Sequence, residues 1–504
     1  MKIAGLDIGT TGCKCTVFDE NGRYVDNAHT EYHVKRQAWH EIDMEALKDS
    51  AISVILAMAH KYDDIAGIGV TSFGETFVLT DEDGRALHTA MLYTDPRGHG
   101  ECRELIDKIG EERLARITGL RPHEMYGISK MMWIRNNMPD VYEKAKHTFQ
   151  VEDYIVYALT GTAQIDYSLA TRSMAFDITA LDWSDEILNA AGIDRRLYPK
   201  PVPSGTSAGK ITRKMSEITG LGPDTAVVSV SQDQIAAAVG AGAFDSSVAV
   251  DGAGTVECLT PIYDEMPDPG SMFRGYYTTV PYVVPGKYVT YAFSYTGCAL
   301  TQWCTETIAK KEKEAASGMN ISVNEYLEDE YKKKMESIGR LPDEPSGMLV
   351  LPHFAGAATP YMDTGSKGAI IGLTVDTSAA EIYHACLEGV CYEMYLNYSM
   401  LKDTGVKFNR INATGGGAHS AVWMQMKADM LGIPITALKT VDAGTVGSAM
   451  LTGVAIGHFA GLKEAASVMV EETMTYEPGK QQHEKYMEIY PRYEKLYRSV
   501  RPLV

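Results

Sequence analysis

The sequence predicts an α/β chain of two similar lobes with a cleft between them, and three observations lead there. First, 504 residues with 45% hydrophobic content exceed what one core can organise, so two large domains are expected. Second, a strand, glycine turn, strand unit at the start returns at the middle of the chain. Asp7 and Thr11 in MKIAGLDIGTTGCKCTVF align with Asp251 and Thr255 in VAVDGAGTVECL at one fixed offset, the mark of a repeated structural unit. Third, apolar strands alternate with helical segments and stop at polar clusters, which is where functional groups collect in open α/β sheets. The expected division is 1–244 and 245–504.

The opening hairpin comes first. Lys2 to Leu6 reads as a strand, Cys13 to Phe18 as its partner, and Asn21-Gly22 as the next hairpin turn. Between the first two strands lies Asp7-Ile8-Gly9-Thr10-Thr11-Gly12. Gly9 and Gly12 are expected to take positive φ and bring backbone N–H groups to an anion, with the hydroxyls of Thr10 and Thr11 adding hydrogen bonds. That is a cradle for phosphate. Asp7, at the end of the first strand, can hold the waters of a magnesium ion, which keeps most of its hydration shell and prefers carboxylates.

Charge and cysteine usage remove whole classes of function. A formal charge of -19 argues against a nucleic-acid backbone or an anionic membrane as partner, because phosphates would be repelled. The eight cysteines show no paired CxxC spacing and read as reduced, buried thiols rather than zinc ligands or disulfides. The first strand begins almost at Met1 with no signal-peptide pattern, and no apolar stretch reaches membrane-spanning length. A cytoplasmic protein, monomer or homodimer, is expected.

Further along, a third strand near Tyr24 to Tyr32 leads through Trp39-His40-Glu41-Ile42-Asp43 to a helix with Met44, Leu47, Ile52 and Ile55 on its apolar face. Ile65 to Thr71 is a buried strand ending in Ser72-Phe73-Gly74-Glu75-Thr76, and the following strands deliver Asp95 and Arg97. Segments around Lys130 to Asn137 and Glu152 to Gly161 read as helices whose aromatics belong to the core. Val227 to Val230 is a buried strand that stops at Ser231-Gln232-Asp233-Gln234 before a small-residue helix. Asp233 would there be either a helix N-cap or a base at a strand end. In the second half a helix opens near Gly297, and Lys310 to Glu314 and Glu328 to Lys334 read as solvated helix faces. Thr414-Gly415-Gly416-Gly417-Ala418 follows a strand and precedes a helix, a turn whose glycines permit close approach of a flat nucleobase or ribose. Gly205 to Lys210 falls one residue short of a P-loop and lacks its Ser or Thr. Gly252-Ala253-Gly254 lacks the third glycine of a dinucleotide fingerprint.

The segments DIGTTG, GIGVTSFGETFVLTDEDG, KMMWIRNN, EDYIVYALTG with DYSLA, SVSQDQIAAAVGAG, GAIIGLTVDTSAAEIYHACLEG, ATGGGAHSAVWMQMKADMLGIPI and AGTVGSA together resemble the FGGY carbohydrate kinase family, in order and over nearly the whole chain. The resemblance is to the xylulokinase branch more than to the glycerol kinase branch. It implies two ribonuclease-H-like domains of the actin and sugar-kinase superfamily, and ATP-dependent phosphorylation of a sugar hydroxyl with magnesium. Under it, Gly9, Thr10, Thr11, Lys14, Gly254 and Thr255 face the phosphates, Gly415, Gly416, Gly417 and Ser420 serve the adenosine side, and Asp7 and Asp233 face the metal. Phe73, Gly74, Glu75, Thr76, Asp95, Arg97 and Asp233 line the acceptor, with Asp233 as the general base that a weakly nucleophilic hydroxyl requires. Three stretches depart from the family. Gly74-Glu75 stands where xylulokinases usually carry Met-His and glycerol kinases Arg-Glu, Gly356-Ala357-Ala358-Thr359-Pro360 replaces GERSP, and Glu41-Ile42-Asp43-Met44 replaces EQDP. Because Glu75 would repel an acid, the expected acceptor is a neutral ketose such as xylulose, or a polyol, ahead of ribulose, a deoxyketose or a sugar acid. The rival of another class is a non-transferring, actin-like ATPase switch, which shares the phosphate cradle but needs no acceptor pocket.

Overall fold

The structure is a computed structural model describing residues 1–32, 35–36, 39–439 and 442–504. Two mixed sheets carry the two halves of the sequence. In the first, six strands run edge to edge as Thr206–Lys210, Ala226–Gln232, Ile65–Ser72, Lys2–Ile8, Gly12–Phe18 and Tyr24–Glu31. The three central members, Ala226–Gln232, Ile65–Ser72 and Lys2–Ile8, are parallel, and the hairpin strands and the far edge strand are antiparallel. These parallel strands read as continuous apolar runs because helices cover both faces.

The second sheet repeats the plan. Val248–Ala253 pairs antiparallel with Glu257–Tyr263 on one side and parallel with Arg410–Thr414 on the other. Ile435–Leu438 then adds parallel, and Glu472–Tyr476 closes the edge antiparallel. This is the same order, centred on the second copy of the hairpin, that the first sheet builds around the first copy. The α/β expectation of two ribonuclease-H-like lobes is therefore met in the order and direction of these strands.

The lobes meet through two helices that cross almost without side chains. Asp233–Gly240 leaves the first sheet, and Ala443–Ala455 from the second half packs back onto the first sheet. A Cβ on Gly240 would lie 1.9 Å from the Ala443 carbonyl oxygen, and one on Gly447 would lie 1.8 Å from that of Ala236. Only glycine fits at this crossing. Ser448 then donates to the Gly69 carbonyl at 2.9 Å, so the helix of the second half is pinned to the central strands of the first. One apolar cluster runs through the junction, joining Ile3, Val228 and Val230 to Val250, Val446 and Met450.

A five-stranded antiparallel sheet, which includes Phe77–Thr80, Ala90–Met91 and His147–Gln150, flanks the first lobe together with the helices of residues 99–144. Among the described residues no helix is long and apolar enough to cross a membrane. All eight cysteines are unpaired, and seven are buried. Gly205 to Lys210 forms the turn and edge strand Thr206–Lys210 rather than a phosphate loop.

Candidate active site

The first hairpin turns through Gly9, Thr10, Thr11 and Gly12, closed by the Gly9 N–H donating to the Gly12 carbonyl at 2.9 Å. Neither glycine adopts the positive φ expected from the sequence. Gly12 is required for a different reason. A Cβ there would sit 2.5 Å from the Thr30 carbonyl oxygen on the neighbouring strand, so crowding across the sheet selects the glycine. The turn is braced by Tyr32, whose N–H donates to the Thr11 carbonyl at 3.0 Å and whose hydroxyl donates to that of Gly9. Thr10 and Thr11 remain at the surface.

Asp7 lies below this turn against the N-terminus of the Ala443–Ala455 helix, where a Cβ on Gly444 would be 3.2 Å from Asp7 Oδ2. Burial, and then the charges of Asp233 and Asp442, push its carboxyl up to about 8 against the pull of Lys14. Lys14 itself is paired with Asp442, the N-cap of that helix. A buried carboxyl raised by neighbouring carboxylates in this way marks a place that favours added positive charge. Among the described residues no three His, Cys, Asp or Glu side chains converge as a ready-made metal cage. Asp7 and Asp233 alone suit a hydrated magnesium ion, which takes one or two protein carboxylates and fills its shell with water and phosphate oxygens.

Asp233 is not the N-cap. Gln232 occupies that position, and Asp233 is the first helical residue. Its Oδ1 accepts from the Gln234 N–H at 2.7 Å and from Gln232 Nε2 at 2.8 Å. Burial and the neighbouring Glu75 raise its carboxyl to about 7, with the Gln234 N–H and Arg172 opposing. A carboxylate with a pKa this close to neutrality has the basicity a general base needs.

Beside it lies a buried polar cluster that the sequence shows only in part. Phe73 is tied to the end of the first strand, its N–H donating to the Ile8 carbonyl at 3.1 Å. Glu75 is buried and left-handed, with φ 64°, an unfavourable conformation for a residue with a side chain and one that concentrates at functional sites. Its N–H donates to Gln150 Oε1 at 3.1 Å. Its carboxylate faces Arg172, with Nε 3.2 Å from Oε1. Gly74 makes room for that arginine, since a Cβ would be 3.0 Å from Arg172 Cγ. Burial raises the Glu75 carboxyl, while Arg172 and then Lys130 hold it down. Thr76 is buried next to it, and its hydroxyl finds no hydrogen-bond partner among the described residues.

Asp95 and Arg97 form a wall whose polar groups are already engaged. Asp95 accepts twice from the Arg97 guanidinium, at 2.8 Å each, and from the His40 N–H at 2.8 Å. Arg97 also reaches Glu41 at 2.8 Å and lies over the rings of Trp39 and Trp133, 4.4 and 5.1 Å from their centroids. Fully buried Lys130 donates to the Asp95 carbonyl at 2.8 Å, and burial lowers its ammonium to about 8. The charges of this cluster are thus satisfied among its own members.

On the second lobe, the carbonyls of Gly254 and Thr255 accept from the first N–H groups of the helix Cys298–Thr307, at 2.8 and 3.2 Å. Gly415, with φ 93°, passes so close to Ala253 that a Cβ would be 2.7 Å from its carbonyl oxygen, and Gly417 packs on Ala253 and Trp423. Gly416 alone faces open space. Ser420 caps the helix Ala421–Leu431 and donates to Glu328 at 2.9 Å. Asp251, the counterpart of Asp7, is buried and paired with Lys427 at 2.7 Å. The duplicated hairpin is thus chemically divided, with Asp251 neutralised by Lys427 and Asp7 raised by neighbouring carboxylates.

Sequence reasoning missed Arg172, Lys130, Gln232, Tyr291 and Asp442 as parts of the site. Arg172 directly follows the DYSLAT segment, and only the fold brings it to Glu75. Tyr291 belongs to the second lobe, yet its hydroxyl donates to Gln232 Oε1 at 3.0 Å.

Residues 2–240 match the N-terminal domain, and residues 253–456 the C-terminal domain, of the FGGY family of carbohydrate kinases. The chain is similar to a xylulose kinase of Staphylococcus epidermidis, 25% identical over 99% of this chain and 97% of that protein. It is also similar to a glycerol kinase of Carboxydothermus hydrogenoformans, 28% identical over 92% and 91%. A solved gluconate kinase from Lactobacillus acidophilus superposes with a TM-score of 0.85 at 22% identity, covering 99% of this chain and 98% of that one.

Proposed function

Since the chain belongs to the FGGY family of carbohydrate kinases, and is therefore a sugar phosphotransferase, we propose that it moves the γ-phosphoryl group of ATP to a hydroxyl of a small neutral sugar, a ketose such as xylulose or a polyol. The observation that carries this reading is the position of Asp233. The strand before it ends level with the two that deliver Asp7 and Glu75, Gln232 pairing with Ser72 and Ser72 with Ile8, which supports a place for it between a phosphate donor and a hydroxyl acceptor. In the reaction the acceptor hydroxyl gives its proton to Asp233 Oδ2 as its oxygen bonds to the γ-phosphorus, and the bond from phosphorus to the β–γ bridging oxygen breaks to leave ADP. Thr10, Thr11 and the hairpin N–H groups hold phosphate oxygens from one side, and Gly254 and Thr255 do so from the other. Open space above Gly416 receives the adenosine. Magnesium held at Asp7 and Asp233 would neutralise charge on the phosphates.

Preference for a neutral acceptor rests on a different group than the sequence indicated. Glu75 does not act as a free repelling charge, because Arg172 balances it at 3.2 Å. Asp233 and Asp7, whose carboxyls stay raised despite the pull of Arg172 and Lys14, would disfavour a carboxylate-bearing acceptor. Glu75 and Arg172 instead present a paired acceptor and donor to neighbouring hydroxyls.

Incubation with ATP, magnesium and a panel of ketoses, polyols and sugar acids, read by mass spectrometry, tests the reading. A sugar phosphate is expected from a neutral acceptor. Inorganic phosphate without any sugar phosphate would replace the kinase with an ATPase switch of the actin-like kind. Glu75→Gln should raise KM for the sugar by roughly 10- to 100-fold, since a mismatched buried polar group costs about 1–3 kcal/mol, and should leave KM for ATP nearly unchanged. Equal effects on both would remove Glu75 from the acceptor pocket.

A further inference from the structure

The contact between the lobes at Gln232 carries an inference of its own, which rests on Asp233 being the base. We propose that Tyr291 and Gln232 form a clamp through which the second lobe positions the carboxylate of Asp233, so that the base is set for proton transfer only when both lobes are in place.

The geometry is a directed chain. Tyr291 O–H donates to Gln232 Oε1 at 3.0 Å, and Gln232 Nε2 donates to Asp233 Oδ1 at 2.8 Å. Gln232 and Tyr291 are 6% and 5% exposed, so water cannot readily replace either partner. Each bond favours the same orientation of the amide. Turning it over would place Oε1 against the Asp233 carboxylate, a repulsive contact. Polarity is also consistent along the chain, and hydrogen bonds aligned in this way strengthen one another.

What the clamp decides is which carboxylate oxygen works. Both hydrogen bonds that Asp233 accepts from Gln232 and Gln234 fall on Oδ1, which leaves the lone pairs of Oδ2 for the substrate proton. Gln232 is itself fixed from the first lobe, where its N–H donates to Ser168 Oγ at 2.8 Å. Its backbone is therefore anchored in the first lobe while its side chain reaches the second. Tyr291 is held in turn by its ring, which lies 5.1 Å under the Arg172 guanidinium, and by its place next to Ala292–Ser294, a strand paired to the second hairpin. Movement of the second lobe away from the first would withdraw the phenol and leave the amide free to rotate.

Tyr291→Phe isolates the clamp, because it keeps the ring on Arg172 and deletes only the hydroxyl. Gln232→Met removes both hydrogen bonds at similar volume. Each should lower kcat roughly 10- to 100-fold, the scale of a misplaced catalytic group, with KM for ATP and sugar within about twofold of wild type. The double variant should be no slower than the slower single one, since both break one chain. Multiplying effects, a loss expressed in KM, or an unchanged kcat would overturn the clamp. Melting curves of the same variants serve as the control, and a fall in kcat matched by loss of folded protein also counts against it. Asp233→Asn assayed alongside separates the two readings. If that variant stays active, the base assignment fails; if it is inactive while Tyr291→Phe turns over at the wild-type rate, the clamp alone fails.

Discussion

Asp233→Asn should reduce phosphoryl transfer by about 100- to 10,000-fold, the usual worth of a positioned general base, with nucleotide affinity nearly unchanged. The amide keeps the shape of the side chain and its Oδ1 can still accept from Gln232 and Gln234, so the local helix start survives. It cannot take a proton. Single-turnover measurement of sugar phosphate, beside titration with an ATP analogue, reads the two quantities separately. Retention of more than roughly a tenth of the wild-type rate would make Asp233 a helix-start residue without a role in proton transfer. The structure sharpens this test relative to the sequence. A carboxylate at a strand-to-helix junction could have been an N-cap, but Gln232 holds that position, which removes the N-cap account of the aspartate.

The contrast between Asp233 and its surroundings shows where sequence reading stops. Both lobes were legible, because each is built from local signals: apolar strands, glycine turns and a repeated hairpin whose two copies are numbered at one offset. Residues at the ends of those strands were legible for the same reason, and Asp7, Glu75 and Asp233 do converge electrostatically. Partners were not legible. Arg172 meets Glu75 across the space that Gly74, with no side chain, leaves beside it. Tyr291 meets Gln232 across the lobe boundary. Asp95 and Arg97 have the composition of a binding pair but form hydrogen bonds chiefly with one another. For Arg172 and Tyr291 the deciding fact is a contact between distant segments, which neither period nor turn chemistry encodes; for Asp95 and Arg97 it is a pairing two residues apart that engages both side chains. Gly12 makes the same point on a smaller scale. Its turn was legible, whereas the neighbouring strand that demands a glycine was not.

Lys427→Met should lower stability by about 3–5 kcal/mol, the cost of deleting one partner of a buried ion pair, making it the largest structural effect expected of a single substitution outside the cleft. Lys427 is fully buried, with Nζ 2.7 Å from Asp251 Oδ2, in contact with Glu257, and 4.6 Å from the Trp423 ring centroid. Burial, and next the charge of Asp251, push the Glu257 carboxyl well above the usual carboxylate range, while Lys427 opposes. Asp251 Oδ1 and Glu257 Oε2 have no hydrogen-bond partner among the described residues. Without the ammonium, two carboxyls would share a dry site in the strands that carry Gly254 and Thr255. For a lobe of this size, with about 2–4 °C per kcal/mol, the melting midpoint should fall on the order of 10 °C. Adding Glu257→Gln to Lys427→Met should recover part of the loss, because it removes one of the stranded acids. A midpoint within about 2 °C of wild type for Lys427→Met alone would mean that the triad is not held as an ion pair. That outcome would also undo the division of labour between the two hairpins, in which Lys427 makes Asp251 structural and leaves Asp7 to face a cation supplied with the substrate.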